Sequence, residues 1–174
     1  MKKMKNTMYT LLIAIAVIFT ATSCSKDDDG GSGGNAAAGT IKAKVAGSNF
    51  SSNPQLSAAT QINAGGSTTI TVQGNDNSGK GIVLVMNGVD GTGSYNIGGG
   101  ANISISASYI EVDASNPTAA QTWQAPFDSS VAGEINISEF TASKVVGTFE
   151  FTGKNVNGDN STKEITEGSF NMDF

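Results

Sequence analysis

ANISISASYIEV, residues 101–112, sets Ile103, Ile105, Ala107 and Tyr109 on every second position, mostly with small polar residues between them. A period of two sends side chains to opposite faces of an extended chain, so this stretch reads as a strand with one face in a core. The same reading spreads outward. Upstream, Ile70 and Val72 alternate in TTITVQ (68–73), and Ile41, Ala43 and Val45 alternate with Lys42 and Lys44. GIVLVM, residues 81–86, is apolar throughout and is expected to be a central strand covered on both faces. Residues 56–62 form a weaker strand after Pro54, and residues 91–97 hold Tyr95. Downstream, Ile135 and Ile137, then Val145, Phe149 and Phe151, then Phe170, Met172 and Phe174 continue the pattern. No window sustains a period of 3.6, and Gly, Asn, Asp and Ser punctuate the segments. The expected class is all-β.

Two local features refine this. Ile165 is out of phase with Phe170, which predicts a bulge near Gly168. Asn157-Gly158 reads as a hairpin turn with two positive φ values. The run Gly–hydroxyl–aromatic occurs at Gly93-Ser94-Tyr95, Gly147-Thr148-Phe149 and Gly168-Ser169-Phe170. Glycine within a strand permits a bend that a neighbouring ring can cover. The expectation is therefore a single antiparallel β-sandwich with strongly curved sheets over residues 40–174, or alternatively a partly closed β-barrel. That length suffices for one domain.

The front of the chain has a different character. Lys2, Lys3 and Lys5 precede the apolar run at residues 11–19, and Ala21, Thr22 and Ser23 follow. Basic, apolar and small, in that order, is a secretory signal over residues 1–23, too short to span a bilayer, which needs about 20 apolar residues. Ala21-Thr22-Ser23-Cys24 resembles a bacterial lipobox, with Ala21 where Leu is usual, a looser form common in Bacteroidetes-type lipoproteins. That resemblance implies a covalent diacylglyceryl and N-acyl (palmitate-type) lipid on Cys24, the only cysteine of the chain. It also implies attachment to the outer membrane. Ser25-Lys26-Asp27-Asp28-Asp29 is similar to the export signals that carry such lipoproteins to the cell exterior; it also reads as a solvated acidic patch. Residues 24–39 form the lipidated cysteine and a Gly/Asp-rich tether without large apolar side chains.

The order of several motifs resembles uncharacterised Bacteroidetes-type lipoprotein β domains. These are Ala-Lys-Val-x-Gly-x-x-Phe ending at Phe50, Gly-x-Tyr at Tyr95, Gly-Thr-Phe-x-Phe ending at Phe151, and Thr-Glu-Gly-x-Phe ending at Phe170. The resemblance implies fold and address, and no particular activity.

Composition narrows the chemistry. All cations are Lys, and the chain from Cys24 carries seven of them against fifteen Asp plus Glu, a net of −8. A chain without Arg or a basic patch does not suit nucleic acid. Without His there is no imidazole base for a nucleophile and no His-ligated zinc. Asn75-Asp76-Asn77-Ser78-Gly79 lacks the spacing of a calcium loop and reads as a turn. No catalytic residue, metal site or further cofactor is expected.

Two candidate sites remain. Glu134, Glu139, Glu150, Glu164 and Glu167 fall in the last third, and a paired-carboxylate glycoside hydrolase needs two such groups about 5–10 Å apart in a cleft. Residues 111–132 read as a long loop with Pro117, Pro126 and the only Trp. There Trp123 and Phe127 are candidate contacts for a glycan or protein ligand. The competing reading makes residues 122–127 an edge strand whose Trp plugs one end of the core. The functions open to the chain are a lipid-anchored binding module that is not an enzyme, a barrel-like carrier of an apolar ligand, and the carboxylate hydrolase. A carrier needs space behind Ile103, Ile105, Phe149 and Phe151.

Overall fold

The computed structural model describes residues 35–100, 104–113 and 115–174. Its strands are β1 (Thr40–Val45), β2 (Ser48–Ser51), β3 (Ser57–Ala64), β4 (Ser67–Asn75), β5 (Lys80–Asn87), β6 (Gly93–Gly98), β7 (Ile105–Asp113), β8 (Asn116–Ala125), β9 (Val131–Phe140), β10 (Lys144–Lys154) and β11 (Thr162–Asp173). A 3-10 turn, Pro54–Leu56, starts after Asn53, whose side chain accepts from the backbone N–H of Gln55.

All eleven strands belong to one antiparallel sheet, in the order β2-β1-β11-β10-β8-β7-β5-β4-β3. The sheet branches at β10. One edge of β10 pairs with β11; the other pairs with β9 from Val145 to Phe151 and meets β8 at Lys154–Gln124. β6 then pairs with β9.

This corrects the expected sandwich and its barrel alternative. A sandwich divides its strands between two ladders, and here one ladder runs through every strand. A barrel joins its end strands, and β2 and β3 do not pair. The sheet is neither closed nor strongly curved. Two of the three glycines read as bend points have another use; at the third, Gly93, a Cβ would meet open space. Gly147 stands opposite Phe170, and Gly168 opposite Phe149. A Cβ on either glycine would meet the ring of its partner. Glycine here makes room for a ring lying across the neighbouring strand, so the gap is filled without a bend. Phe149 stacks at 6.3 Å from Phe170 and also at 6.3 Å from Phe151.

Alternation holds along most strands. Ile41, Ile70, Val72, Ile82, Leu84, Met86, Tyr109, Ile135, Val145, Ile165 and Phe170 are all buried in one continuous cluster. The bulge stands where the phase break predicts it. The β10–β11 register shifts between Phe149 and Phe151, and Glu167 takes φ +51°, which lets both Ile165 and Phe170 reach the core. The turn at residues 155–161 differs from the sequence expectation: its left-handed residue is Asn160, φ +58°, and its N–H reaches back to Asn155. β5 is central, between β4 and β7, but it is covered on one face only; Val83 and Val85 remain half-exposed on the other. The end of the segment read as tether is tied down: Asn171 donates to the Ala36 carbonyl, and the Gly39 N–H donates to Asn171.

Candidate functional site

Cys24, the signal residues and the acidic patch lie outside the described residues. Among the described residues no helix is long and apolar enough to cross a membrane.

The stretch read as a loop is chiefly β8, hydrogen-bonded to β7 from Asn116 to Ala125. That pairing sets Trp123 beside Tyr109, ring centroids 5.8 Å apart, and Trp123 is only 5% exposed. Its ring presents no free face: the Lys163 ammonium stands 3.8 Å from the ring centroid and 5.1 Å from that of Tyr109. Trp123 Nε1 donates to Ser161 Oγ at 3.0 Å. Lys163 pairs with Glu111 at 2.6 Å, and Tyr109 donates its hydroxyl to the same carboxylate oxygen at 2.8 Å. Burial and the neighbouring Glu111 carboxylate push the Tyr109 phenol well up. Burial also acts to raise Glu111, but hydrogen bonds from Lys163 and Tyr109 and the Lys charges outweigh it and hold the carboxyl below its ordinary range. Every polar end in this cluster has a partner, which is how a stabilising network looks. Phe127 is half-buried on the connection after β8.

The carboxylates separate into groups. Glu134, Glu150 and Glu167 line an open depression of about 300 Å³ with Asn136, Thr148, Phe149 and Gly168. Glu134 and Glu150 are direct neighbours across the β9–β10 ladder, side by side on one surface rather than facing across a cleft. Glu167 is engaged by Lys44 at 2.8 Å, and Glu139 stands 3.8 Å from Lys144. Among the described residues no group of three or more His, Cys, Asp or Glu could hold a metal ion. Asp113, Asp128 and Asp159 each accept the hydroxyl and N–H of the Ser two residues on, which holds all three low and closes their turns. Of the residues that a carrier would have to line with empty space, Ile105, Phe149 and Phe151 are packed in the core, and Ile103 lies outside the described residues.

A feature missed by motif reading emerges from the register. On β3, β4, β5, β7 and β8, the residues facing away from the core carry no charge. One row across the ladders is Thr60, Thr71, Val85 and Ser106; the next is Ala58, Gln73, Val83, Ser108 and Gln124. Ile62 and Ile110 extend the same face. These side chains are half-exposed or exposed. The result is a broad surface of hydroxyl, amide and β-branched side chains. The sequence signal was available: no charged residue occurs between Lys44 and Asp76, or between Asp90 and Glu111.

An open antiparallel sheet with a filled core and an outer surface uncharged over five strands defines the class: an all-β domain without evident catalytic machinery among the described residues. The chain belongs to the family described as a domain of unknown function, DUF6252, which matches residues 38–172. No curated protein and no solved structure matches it.

Proposed function

We propose that this is a lipid-anchored protein of the bacterial cell envelope, Bacteroidetes-type, held by acylated Cys24 on the exterior of the outer membrane. Its β domain is a non-catalytic binding module. The uncharged face of β3, β4, β5, β7 and β8 is the contact surface, and its partner is a neutral glycan. The observation that carries this reading is the face itself. In a chain with net −8 from Cys24 onward, five adjacent strands present outward rows free of charge. Docking there desolvates no ion. Hydroxyl and amide groups between methyl-bearing side chains match the alternating OH and CH surfaces of a sugar chain.

The test uses the processed protein on an array of neutral and acidic glycans. Thr71→Lys and Val85→Lys, each putting in the middle of the face a charge that docking would desolvate, are expected to cut binding at least about tenfold, the effect of ~1.4 kcal/mol. Trp123→Ala acts through stability alone. Equal retention by both Lys variants, or retention of acidic glycans only, overturns the reading of the face. The anchor has its own readout: mass spectrometry of the processed N-terminus is expected to find Cys24 acylated, and a bare thiol there overturns the address.

A further inference from the structure

We infer that β3 is a self-association edge through which a second copy of this chain adds to the sheet, antiparallel and two-fold symmetric about Ile62. The inference does not depend on the anchor or on the glycan reading.

β3 ends the strand path and pairs with β4 alone. Native sheets blunt such edges with charge, proline, a bulge or brevity. Within the described residues the other edges follow that rule. β2 has only four residues, β8 begins at Asn116-Pro117, and β6 is short and bounded by Gly93 and Gly98. β3 has eight residues, SAATQINA, with no charge and no Pro, and its register on β4 is unbroken. It also carries Ile62, 61% exposed, the most exposed large hydrophobic side chain described.

The backbone is set for pairing. Ala64 and Ser67 flank a two-residue turn, Gly65 at φ +60° and Gly66 at φ +80°. In such a hairpin the flanking residues exchange hydrogen bonds, and bonding then alternates along the strand. Ala64, Ile62 and Thr60 therefore direct their backbone groups to β4, and Gln61 and Asn63 direct theirs to the open edge. The amino-terminal end of β3 is engaged, since Ser57 Oγ donates to the Asn53 carbonyl and is hydrogen-bonded to Ser52 Oγ. The available run is centred on Ile62.

A two-fold axis there sets Ile62 against its own copy, Thr60 against Ala64, and Gln61 against Asn63 with reciprocal backbone bonds. Charge and continuity of the face select a second copy as the occupant. In an isologous pairing any charge on the strand meets a like charge near the axis; β3 has none, although the chain as a whole repels itself. β3 is also the outer limit of the uncharged face, so a second copy extends that face in register across the junction, while each exposed Ile62 is covered. A ten-strand surface of this kind is roughly 45 Å wide at the usual strand spacing.

The experiment uses the full chain as purified in detergent from cell envelopes. Thr60→Cys and Ala64→Cys proteins are mixed and mildly oxidised, and the joined peptides are read by mass spectrometry. Directly opposed β positions suit a disulfide. The expected result is a 60–64 cross-link at least about tenfold more abundant in the mixture than any 60–60 or 64–64 link in either protein alone. Sedimentation of the otherwise native chain is expected to show dimer, and Ile62→Lys, at an exposed position, is expected to shift it to monomer. A native chain that stays monomeric at every concentration overturns the inference. So does dimerisation unaffected by Ile62→Lys, or cross-linking that ignores the 60–64 pairing, as association through another surface or capture of a foreign strand would give.

Discussion

The sheet has two halves that solve the same problem with different chemistry. On β3, β4, β5 and β7 the core face is mainly aliphatic, from Ile70 and Val72 through Leu84 and Met86, and the outer face carries no charge. On β9, β10 and β11 the core face adds Phe rings set against glycines to aliphatic side chains such as Ile135, Val145 and Ile165, and the outer face carries Glu134, Glu150 and Glu164. Ring-over-glycine packing places large groups against backbone, which tolerates no added atom; aliphatic alternation places side chain against side chain, which adjusts. The half that is rigid inside is the one with an ordinary solvated exterior. The adaptable half is the one that presents an unusual exterior. Under the proposed function, structure and recognition fall to different strands.

The largest expected effect tests the rigid half. Gly133 faces Phe151 across the ladder, and a Cβ there would run into the Glu150 carbonyl and the Phe151 backbone. Neither can swing aside as a side-chain tip does. Gly133→Ala is expected to cost about 2–3 kcal/mol in denaturant unfolding, as overpacking does. Thr71→Ala, half-exposed on the uncharged face, is expected to stay within about 0.5 kcal/mol. Equal losses would erase the distinction between the halves.

The next effect lies at their seam. Lys163 on β11 reaches over Trp123 on β8 and Tyr109 on β7, and pairs with Glu111. Lys163→Met keeps the aliphatic stem and removes the cation. It is expected to cost about 1–2 kcal/mol, from the lost cation–π contact and the carboxylate left without its partner. Trp123 fluorescence is expected to change in parallel, since the quenching ammonium leaves its face. A stability change without a spectral change would place the effect elsewhere.

Acid sharpens the same seam. The folded-state pKa of Glu111 is depressed, so its contribution is complete above the ordinary carboxylate range and is lost as pH falls through the lower folded value. Glu111→Gln is expected to flatten the acid limb of the stability curve below about pH 4. The Glu111 side chain is 35% exposed, so screening keeps the effect below about 1 kcal/mol. An unchanged acid limb would mean that the four Asp–Ser turns, at Asp76, Asp113, Asp128 and Asp159, carry it.

How far the sequence leads depends on which physical signal is local. Period two marks Ile41, Ile70, Ile105 and Phe170 as core, and the phase slip from Ile165 to Phe170 marks the bulge, because both follow from backbone geometry within one strand. Pairing is not local. Nothing in Gly147 or Gly168 says that the partner's ring, rather than a bend, fills the gap, so the expected sandwich gave way to one open sheet. Residues 111–132 misled for a similar reason: β8 has no large apolar side chain over Asn116–Gln121 and is exposed throughout that run, and only its ladder with β7 makes it a strand. The charge gaps in the sequence are plain, but only the register places them on one face.

The smallest expected effect concerns the charged face. Glu150 stands directly opposite Glu134, and like charges opposed on adjacent strands repel. Ser94 donates to Glu134 at 3.3 Å, and Asn136 donates to Ser94 at 2.8 Å, so Glu134 has a neutral partner and Glu150 is the freer member to change. Glu150→Gln keeps the shape and removes one charge. It is expected to stabilise the domain by a few tenths of a kcal/mol at low salt, fading as salt screens the pair. A double-mutant cycle with Glu134→Gln isolates the coupling. The same variant is expected to leave glycan binding unmoved, because it lies on the half that faces ordinary solvent. Binding lost with Glu150→Gln and kept with Thr71→Lys would invert the assignment of the two faces, and would move recognition to the depression beside Glu167.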